Sequence, residues 1–562
     1  MDTHDVVNQA PPREGLDEYG ANAALTEAVD RHDADWAHHR LHLTGQRVGT
    51  ASFQHDAARA NRVEPLLHTH DRHGHHIDEV EYDDSYHRVI AAAVADGAHT
   101  GAYVEPRPGA NVARAATFML YAQIEPGHAC PVSMTHAVVP VLQQHPTVAG
   151  EWMPRVLSPA YDPTLRTGKP SALFGMAMTE KQGGSDVRAN TTAARPLGDG
   201  RYALTGHKWF CSAPMSDAFL VLAQAPGGLS CFLVPRVVEG SGVRNGIRIV
   251  RLKDKLGNRA NASSEVEYED AVGTLVGEEG RGVRTIIDMV AGTRLDCVLG
   301  TTAGMRQAVA EAAWHVRHRR AFGALLIDQP AMTGVIADLQ LETEAATATA
   351  MRLARAYDDD ASDAEVAFRR LATAVAKYWI CKRGPGHAYE ALECLGGNGY
   401  TEAFPLAMRY REQPVMAVWE GSGNVIALDV LRALAREPET LDAFDAEVSL
   451  ARGADRRFDA FADHARALVR SVGASGGASV GASGAASGGA SVAADAEPQA
   501  RARELVATLA LALQGSLLVR FAPAAVADAF VASRLSEGLG GAAGLYGALP
   551  SGVDAAAIAA RA

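Results

Sequence analysis

Residues 176–190 read MAMTEKQGGSDVRAN, running from Met176 through Thr179, Glu180, Gly183, Gly184, Ser185 and Asp186 to Asn190. An apolar stretch ends here and a polar loop with paired glycines begins. Two adjacent glycines let the backbone come close to a ligand. The Thr179 and Ser185 hydroxyls and the freed N–H groups can then bond a polar ring edge or a phosphate. Taken alone, the run fits an ordinary turn equally well, so its surroundings decide. From about Gly175 to Val276, short segments such as YALTG, FLVLAQA, SCFLVPRV, GIRIVRL and SSEVEYED are separated by Gly, Pro, Asn or Asp. That texture predicts an antiparallel sheet domain. Helical patterns flank it, YHRVIAAAVADG before and LGTTAGMRQAVAEAAWHVRHRRAFG after. The expected class is α+β, mainly α. It comprises a helical N-terminal domain (1–174), a β middle domain (175–281), a helical C-terminal domain (282–440) and a further helical extension (441–562). A Gly/Ala/Ser tract at 472–493 reads as a linker within that extension.

Composition bounds the function. The chain has 562 residues, too many for one compact core. With 47% hydrophobic and 21% charged residues it is neither mostly disordered nor collagenous nor a coiled coil. Lys+Arg is 53 against Asp+Glu 66, a formal net charge of −13, which argues against a uniformly basic nucleic-acid binder and leaves a local basic patch open. Six cysteines without a C-x-x-C pair read as buried, reduced thiols. The N-terminus has no basic region followed by an apolar one, so a cytoplasmic location is expected. The apolar run Leu505–Val519 is shorter than the roughly 20 residues a bilayer needs. It reads as a buried or oligomer-facing helix, and no membrane contact is expected. His68, His70, His73, His75 and His76 are irregularly spaced around Gly74 and read as a polar hairpin or loop rather than a metal centre.

Ala177-Met178-Thr179-Glu180-x-x-Gly183-Gly184-Ser185-Asp186 resembles the first signature of the acyl-CoA dehydrogenases, FAD enzymes with the same helix–sheet–helix order. The resemblance implies that Met176, Met178 and Thr179 approach the flavin ring, with Thr179 near its pyrimidine edge. Gly184 and Ser185 would meet the pyrophosphate region, and Ser185 also bound substrate. Gly206-His-Lys208-Trp209-Phe210-Cys211-Ser212 is similar to the G-x-K-x-W-I-T/S strand of that family. Phe210 replaces the Trp beside the isoalloxazine, Cys211 follows, and Ser212 supplies the hydroxyl near N5. Thr179 and Ser212 are shared with the substrate. Arg319-Arg-Ala-Phe322-Gly323 resembles R-x-x-F-G, which implies that Arg319, Phe322 and, further on, Gln329 reach the FAD of a neighbouring subunit. The planar Arg fork suits a pyrophosphate. Glu393-Cys-Leu-Gly396-Gly397-Asn-Gly399-Tyr400 resembles the second signature, with Gly396 and Gly397 beside the adenosine half. Glu393 replaces Gln there, Met408 stands where a basic residue is usual, and one extra residue after Glu402 is expected to form a local bulge.

Val418-Trp419-Glu420-Gly421-Ser422-Gly423-Asn424 resembles the segment whose Glu removes the substrate α-proton. An α C–H is a weak acid, so the carboxylate must be held close to it in a dry pocket. The alternative base position of the family reads Gly292-Thr293-Arg294, and Thr293 cannot serve. Glu420 is therefore the implied base, Arg294 its active-site partner, and Ser422 and Asn424 face FAD. Closer likeness over most of the chain, for instance FGMAMTEKQGGSDVRANTTAA and VWEGSGNVIALDVLRAL, is to the AidB branch. Trp419 and Arg432 are features of that branch and should narrow the pocket against long acyl chains. The branch implies a homotetramer acting on an acyl-CoA or a related small molecule, with double-stranded DNA as a partner of the C-terminal extension. Two functions follow: an acyl-CoA dehydrogenase-like oxidoreductase, or a DNA-binding protective flavoprotein of the alkylation-damage response with little turnover. From Leu441 to Ala562 there are ten Arg, no Lys and twelve Asp+Glu. DNA affinity rests largely on cations. Arg452, Arg456, Arg457, Arg466 and Arg470 are interleaved with Asp455, Asp459 and Asp463, which predicts internal ion pairs. A tetramer that gathers these arginines into one patch keeps DNA open.

Overall fold

The computed structural model describes residues 3–238, 240–476, 496–536 and 545–562. Its contacts divide into two units. One holds Arg47–Pro106 and Thr117–Asp296, the other Met1–Gln46, Arg107–Ala116 and Cys297–Ala562.

The first unit carries the strands. A hairpin of β1 (Leu66–His70) and β2 (His76–Glu81) contains the histidines. Its tip closes on the Asp71 carboxylate, which accepts from the backbone N–H groups of His73 (2.8 Å) and His75 (3.0 Å), while Gly74 takes φ +87°. The histidine-rich segment is thus a polar hairpin. Among the described residues no group of three or more His, Cys, Asp or Glu is placed to hold a metal.

The main sheet contains β3 (Phe174–Ala177), β4 (Ala193–Gly198), β5 (Arg201–Ser212), β6 (Ala218–Ala225), β7 (Gly228–Pro235), β8 (Ile247–Leu252) and β9 (Ser263–Val276). β6, β4, β5, β9 and β7 form a closed ring, because β7 pairs back onto β6; β3 and β8 attach to its outside. The expected antiparallel sheet is in fact mixed. β4–β5 and β6–β7, joined by short turns, are antiparallel, whereas β3 and one residue of β4 run parallel to β6. β3 and β6 are separated by two intervening strands, a crossover long enough to permit a parallel pairing. Helix Ala129–Gln143 packs on this edge: Val138 and Leu142 share a core with Phe174, Met176, Leu220 and Leu222. The Thr135 hydroxyl accepts from Phe174 N at 3.0 Å, and Trp152 meets the Phe174 ring edge-on at 5.2 Å. These contacts fix the strand that leads into residues 178–186.

The second unit is helical. Its long members are Pro330–Arg355, Asp363–Glu393 and the part of Gly282–His318 from Cys297 on. Helix Asp363–Glu393 starts at a serine N-cap: the Ser362 hydroxyl accepts from Glu365 N at 3.3 Å. Shorter helices Leu406–Met416 and Gly423–Arg436 follow. The extension contributes Pro438–Ser449, Arg456–Gly476, Ala496–Phe521 and Ala524–Phe530, and it belongs to this same compact unit. Ala496–Phe521 packs against Asp363–Glu393, Gly423–Arg436 and Arg456–Gly476. It is long and apolar enough to cross a bilayer, but 78% of its most apolar window is buried inside the protein, so it serves as a core helix. Of the Gly/Ala/Ser tract, 472–476 ends a helix and the remainder lies outside the described residues. Three of the five clustered arginines are ion-paired. Arg452 meets Asp463 (2.6 Å), Arg457 meets Asp455 (2.6 Å) and Asp528 (2.7 Å), and Arg466 meets Asp445 (2.7 Å).

Candidate active site

In the sheet unit, the loop after β3 is built around a buried ion pair. The Thr179 carbonyl accepts from Trp209 N (2.8 Å), which adds a rung between the loop and β5. Glu180 and Lys208 side chains are fully enclosed, 2.8 Å apart. Glu180 Oε1 also accepts from the Thr192 hydroxyl (2.6 Å), and Oε2 from Thr191 N (2.7 Å) and Gln182 Nε2 (2.8 Å). Lys208 Nζ spends its other protons on the carbonyls of Leu222 (2.7 Å) and Met178 (3.4 Å), so the ammonium is satisfied. Burial alone would raise the Glu180 carboxyl. The Lys208 ammonium and the hydroxyl and N–H donors outweigh it and hold the carboxyl well below the usual range. Glu180 is therefore a fixed anion that frames the loop and cannot act as a proton acceptor.

The two glycines have different reasons. Gly183, at φ +150°, closes a tight turn in which Glu180 and Gly183 exchange backbone hydrogen bonds of 3.0 and 3.3 Å. A Cβ at Gly184 would lie 2.4 Å from the Thr179 hydroxyl oxygen, so this glycine makes room for Thr179. Ser185 is exposed on the same loop, and Thr179 and Met178 are half-buried.

β5 bulges beside this loop. Lys208 pairs with Val266 and Cys211 with Ser264, three steps against two. Trp209 and Phe210 stand at the bulge with ring centroids 6.5 Å apart, and Lys253 Nζ lies 3.2 Å from the Trp209 centroid and 4.8 Å from that of Phe210. Phe210 is 51% exposed, whereas Cys211 is 2% exposed, its thiol pushed up to about 12 by burial. Adjacent strand residues face opposite ways, so Cys211 is one of the buried thiols the sequence leads one to expect. Only its backbone shares the face of Phe210 and Ser212. Ser212 Oγ is 3.4 Å from Ser263 Oγ. On helix Gly282–His318, the Thr293 hydroxyl is used up on the carbonyls of Met289 (3.2 Å) and Val290 (3.1 Å), next to half-buried Arg294.

In the helical unit, Trp419, Glu420 and Gly421 form the turn between Leu406–Met416 and Gly423–Arg436. Glu420 has φ +58°, a left-handed conformation that costs a non-glycine residue about 1–2 kcal/mol. Gly421 follows at φ +112°, and a Cβ there would lie 2.9 Å from Ile426 Cδ1. Lys377, buried on helix Asp363–Glu393, donates its Nζ proton to the Gly421 carbonyl. Trp419 packs on Cys297, Cys381 and Met416, and its buried Nε1 has no hydrogen-bond partner among the described residues. Ser422 caps the next helix with its hydroxyl unused for capping, and the Asn424 Oδ1 accepts from Arg503 Nε at 2.8 Å. Arg432 lies about 13 Å further along that helix, at 1.5 Å per residue, and pairs with Asp429 (3.4 Å).

Arg319, Phe322 and Gln329 are gathered on one hairpin, β10 (Arg320–Ala321) and β11 (Ala324–Leu325). Phe322 (φ +52°) and Gly323 (φ +84°) form its two-residue turn, and Phe322 is 99% exposed. Gln329 Nε2 donates to Ala321 O (3.1 Å). Asn8 is strapped to the same hairpin. Its Nδ2 donates to Arg320 O (2.9 Å), its Oδ1 accepts from Arg320 N (2.8 Å), and its carbonyl accepts from Arg319 Nη1. Gly396, at φ +59°, and Gly397 open a short helical turn, and a Cβ on either would meet no atom within 4 Å. Glu393 accepts from Tyr389 OH (3.1 Å). The extra residue after Glu402 falls in the connection before helix Leu406–Met416, a turn rather than a bulge, because no regular element passes through it.

Three family models match in series: the Adaptive response protein AidB N-terminal domain over residues 8–163, the acyl-CoA dehydrogenase middle domain over 175–271 and the acyl-CoA dehydrogenase C-terminal domain over 280–435. The AidB protein of Escherichia coli is 48% identical over 461 residues, covering 81% of this chain and 85% of the relative. The chain belongs to the acyl-CoA dehydrogenase family. Within it, acyl-CoA dehydrogenase family member 11 of Caenorhabditis elegans is 30% identical over 424 residues, covering 72% of this chain and 68% of the relative. The solved structure of C. elegans ACDH-11 in complex with C11-CoA superposes with a TM-score of 0.82 at 24% identity, covering 94% and 92% of the two chains. An acyl-CoA dehydrogenase of Bacillus anthracis complexed with FAD gives 0.64 at 16%, covering 81% of each. At those identities the structures speak for the fold.

Set against the family motifs, the structure draws the predicted residues into local groups. Thr179, Gly184 and Ser185 share one loop with Met178 at its base. Phe210 and Ser212 share the adjacent strand. Trp419, Glu420, Ser422 and Asn424 share one turn, whereas Arg432 stands apart from it on the helix. Reading the acyl-CoA dehydrogenase motifs alone missed four residues: Glu180 and Lys208, which sit inside the quoted motifs, and Lys377 and Asn8, which lie outside all of them.

Proposed function

We propose that the protein is an FAD-dependent acyl-CoA dehydrogenase of the AidB type, in which Glu420 takes the α-proton of an acyl-CoA thioester. The observation that carries this reading is the Glu420 turn. A weak carbon acid needs a base whose position is fixed before the substrate arrives. The left-handed backbone at Glu420, the glycine behind it and the Lys377 clamp on the Gly421 carbonyl supply that fixity. Glu180, the other carboxylate in a motif loop, is excluded from the role by its enclosure and by Lys208.

The residues present fit a flavin dinucleotide. Thr179 and Ser212 offer neutral hydroxyls suited to the polar edge of the ring, and the exposed Phe210 ring offers an apolar face. Open space at Gly396 and Gly397 leaves backbone free for the adenosine half. Arg319 and Gln329 would reach the pyrophosphate of a flavin held on a neighbouring subunit. Acceptance of a hydride from the substrate β-carbon is the chemistry that bound FAD supplies. Trp419, next to the base, limits the acyl chain, so short chains are the expected substrates, with Arg294 as a partner for the substrate. The fully exposed Phe322 is a side chain that a neighbouring subunit would cover, in line with a homotetramer. Six free thiols suit a reducing, cytoplasmic setting.

The alternative, a DNA-binding protective flavoprotein, gains no support from the extension, where Arg452, Arg457 and Arg466 are already paired with carboxylates. The purified protein should be yellow or take up added FAD, and anaerobic mixing with short acyl-CoAs should bleach the visible flavin band. A colourless protein that refuses FAD would overturn the proposal. Fluorescence anisotropy with duplex DNA at two salt concentrations should show no salt-dependent binding; a steep salt slope would favour the alternative.

A further inference from the structure

Three cations meet at the start of helix Gly423–Arg436. Lys377 and Lys382 come from helix Asp363–Glu393, and Arg503 comes from Ala496–Phe521 in the C-terminal extension. Lys377 donates to the Gly421 carbonyl, and Arg503 Nε to Asn424 Oδ1 at 2.8 Å. Lys382 is laid across the first residue of the helix: a Cβ on Gly423 would come within 2.4 Å of its Cε and 2.7 Å of its Nζ. Its ammonium has the Tyr378 ring at 5.5 Å and, among the described residues, no hydrogen-bond or ion-pair partner. Arg503 donates to Asn424 and is an exposed residue. Three carboxylates on the elements packed here are engaged elsewhere. Glu504 pairs with Arg501 (3.0 Å), Asp429 with Arg370 (3.4 Å), and Glu437 with Arg370 (3.2 Å). Glu420 is the one carboxylate in the turn itself. Burial and the neighbouring charges of Arg503 and Lys377 pull the Lys382 ammonium below its ordinary value.

Like charges gathered without acidic partners favour an anion. A phosphoryl group is the anion whose several oxygens can accept from an ammonium, a guanidinium and a hydroxyl together. The exposed Ser422 hydroxyl, free of any capping bond, adds the third kind of donor. We propose that Lys382, Arg503 and Ser422 form a subsite for a phosphate or pyrophosphate group, with Lys377 holding the turn that presents it. The extension thereby contributes a side chain next to the Glu420 turn. Two ligands of the proposed reaction carry this chemistry, the dinucleotide cofactor and the CoA thioester, and the choice between them rests on the functional reading above.

The test uses the full chain, with Lys382→Met, Arg503→Gln and the double variant. Inorganic pyrophosphate should raise the Tm of the flavin-free wild type, and the double variant should need at least about tenfold more for the same rise. FAD affinity lowered about tenfold or more, with riboflavin affinity kept, assigns the subsite to the cofactor. Acyl-CoA affinity lowered with FAD affinity kept assigns it to CoA. Arg503→Lys, which keeps the charge, should recover part of the loss. Equal pyrophosphate responses in wild type and double variant would overturn the subsite, and so would a loss shared by riboflavin. A wild type that binds no flavin defeats the functional reading but leaves the pyrophosphate comparison to decide the subsite.

Discussion

Glu180 and Glu420 are both carboxylates in tight turns beside a buried lysine, yet the lysines act on different atoms. Lys208 donates to the Glu180 carboxylate itself and, with five further donors, fixes it as an anion. Lys377 donates to the backbone one residue beyond Glu420 rather than to its carboxylate. One arrangement spends the acid on structure; the other spends the structure on the acid. The same residue types, a few steps apart in a glycine-rich turn, are told apart by where the lysine proton goes.

Removing the lysine from the first arrangement should have the largest effect on stability. Lys208→Met leaves an enclosed carboxylate without its counter-charge, at a cost of about 3–5 kcal/mol, read by urea unfolding. A loss below about 1 kcal/mol would mean that the N–H and hydroxyl donors suffice and that the two lysines do not differ. Gly421→Ala tests the second arrangement. Its positive φ and the Ile426 side chain set a cost of about 1–3 kcal/mol, and substrate-driven flavin bleaching should fall further than stability does. An alanine variant with unchanged bleaching would show that the turn need not be fixed.

A third carboxylate sharpens the contrast. Glu311 is pushed up to about 7 by burial, because Arg13 and the Gln307 amide at 2.9 Å do not compensate it as Lys208 compensates Glu180. A raised carboxyl keeps its proton in the folded state, so the stability tied to it is present below about pH 4.5 and is lost as pH rises to about 7. Glu180 has the opposite sign: its contribution is present above the ordinary carboxylate range and is lost as pH falls below it. Glu311→Gln should therefore flatten the fall in Tm between about pH 5 and pH 7.5, and a slope as steep as wild type would remove Glu311 from the account. The smallest effect is expected at the surface. Arg466→Ala breaks a partly exposed pair with Asp445 and should cost less than about 1 kcal/mol, with flavin binding unchanged.

Much of this was legible in the sequence and some was not, for reasons that differ by residue. The helix–sheet–helix order shows in the spacing of apolar residues, and the interleaved Arg and Asp of the extension announce their pairing. The parallel entry of β3 does not show, since a strand of four apolar residues reads the same in either direction. The burial of Cys211 was legible from the thiol pattern, whereas the bulge beside it depends on the partner strand, Ser263–Val276, which local alternation cannot supply. Lys208 looks like an exposed strand charge until Glu180 is brought to it from 28 residues earlier in the chain. Asn8 carries no local signal at all; its role exists only when the hairpin after Arg319 is beside it.

The central claim is that the carboxylate at 420, held on its lysine-clamped turn, is the base. Glu420→Gln keeps the size and polarity of the side chain and removes its basicity. With FAD still bound, the account predicts that acyl-CoA bleaches the flavin of this variant at least about 10²-fold more slowly than that of wild type under anaerobic conditions. Bleaching at the wild-type rate would contradict it.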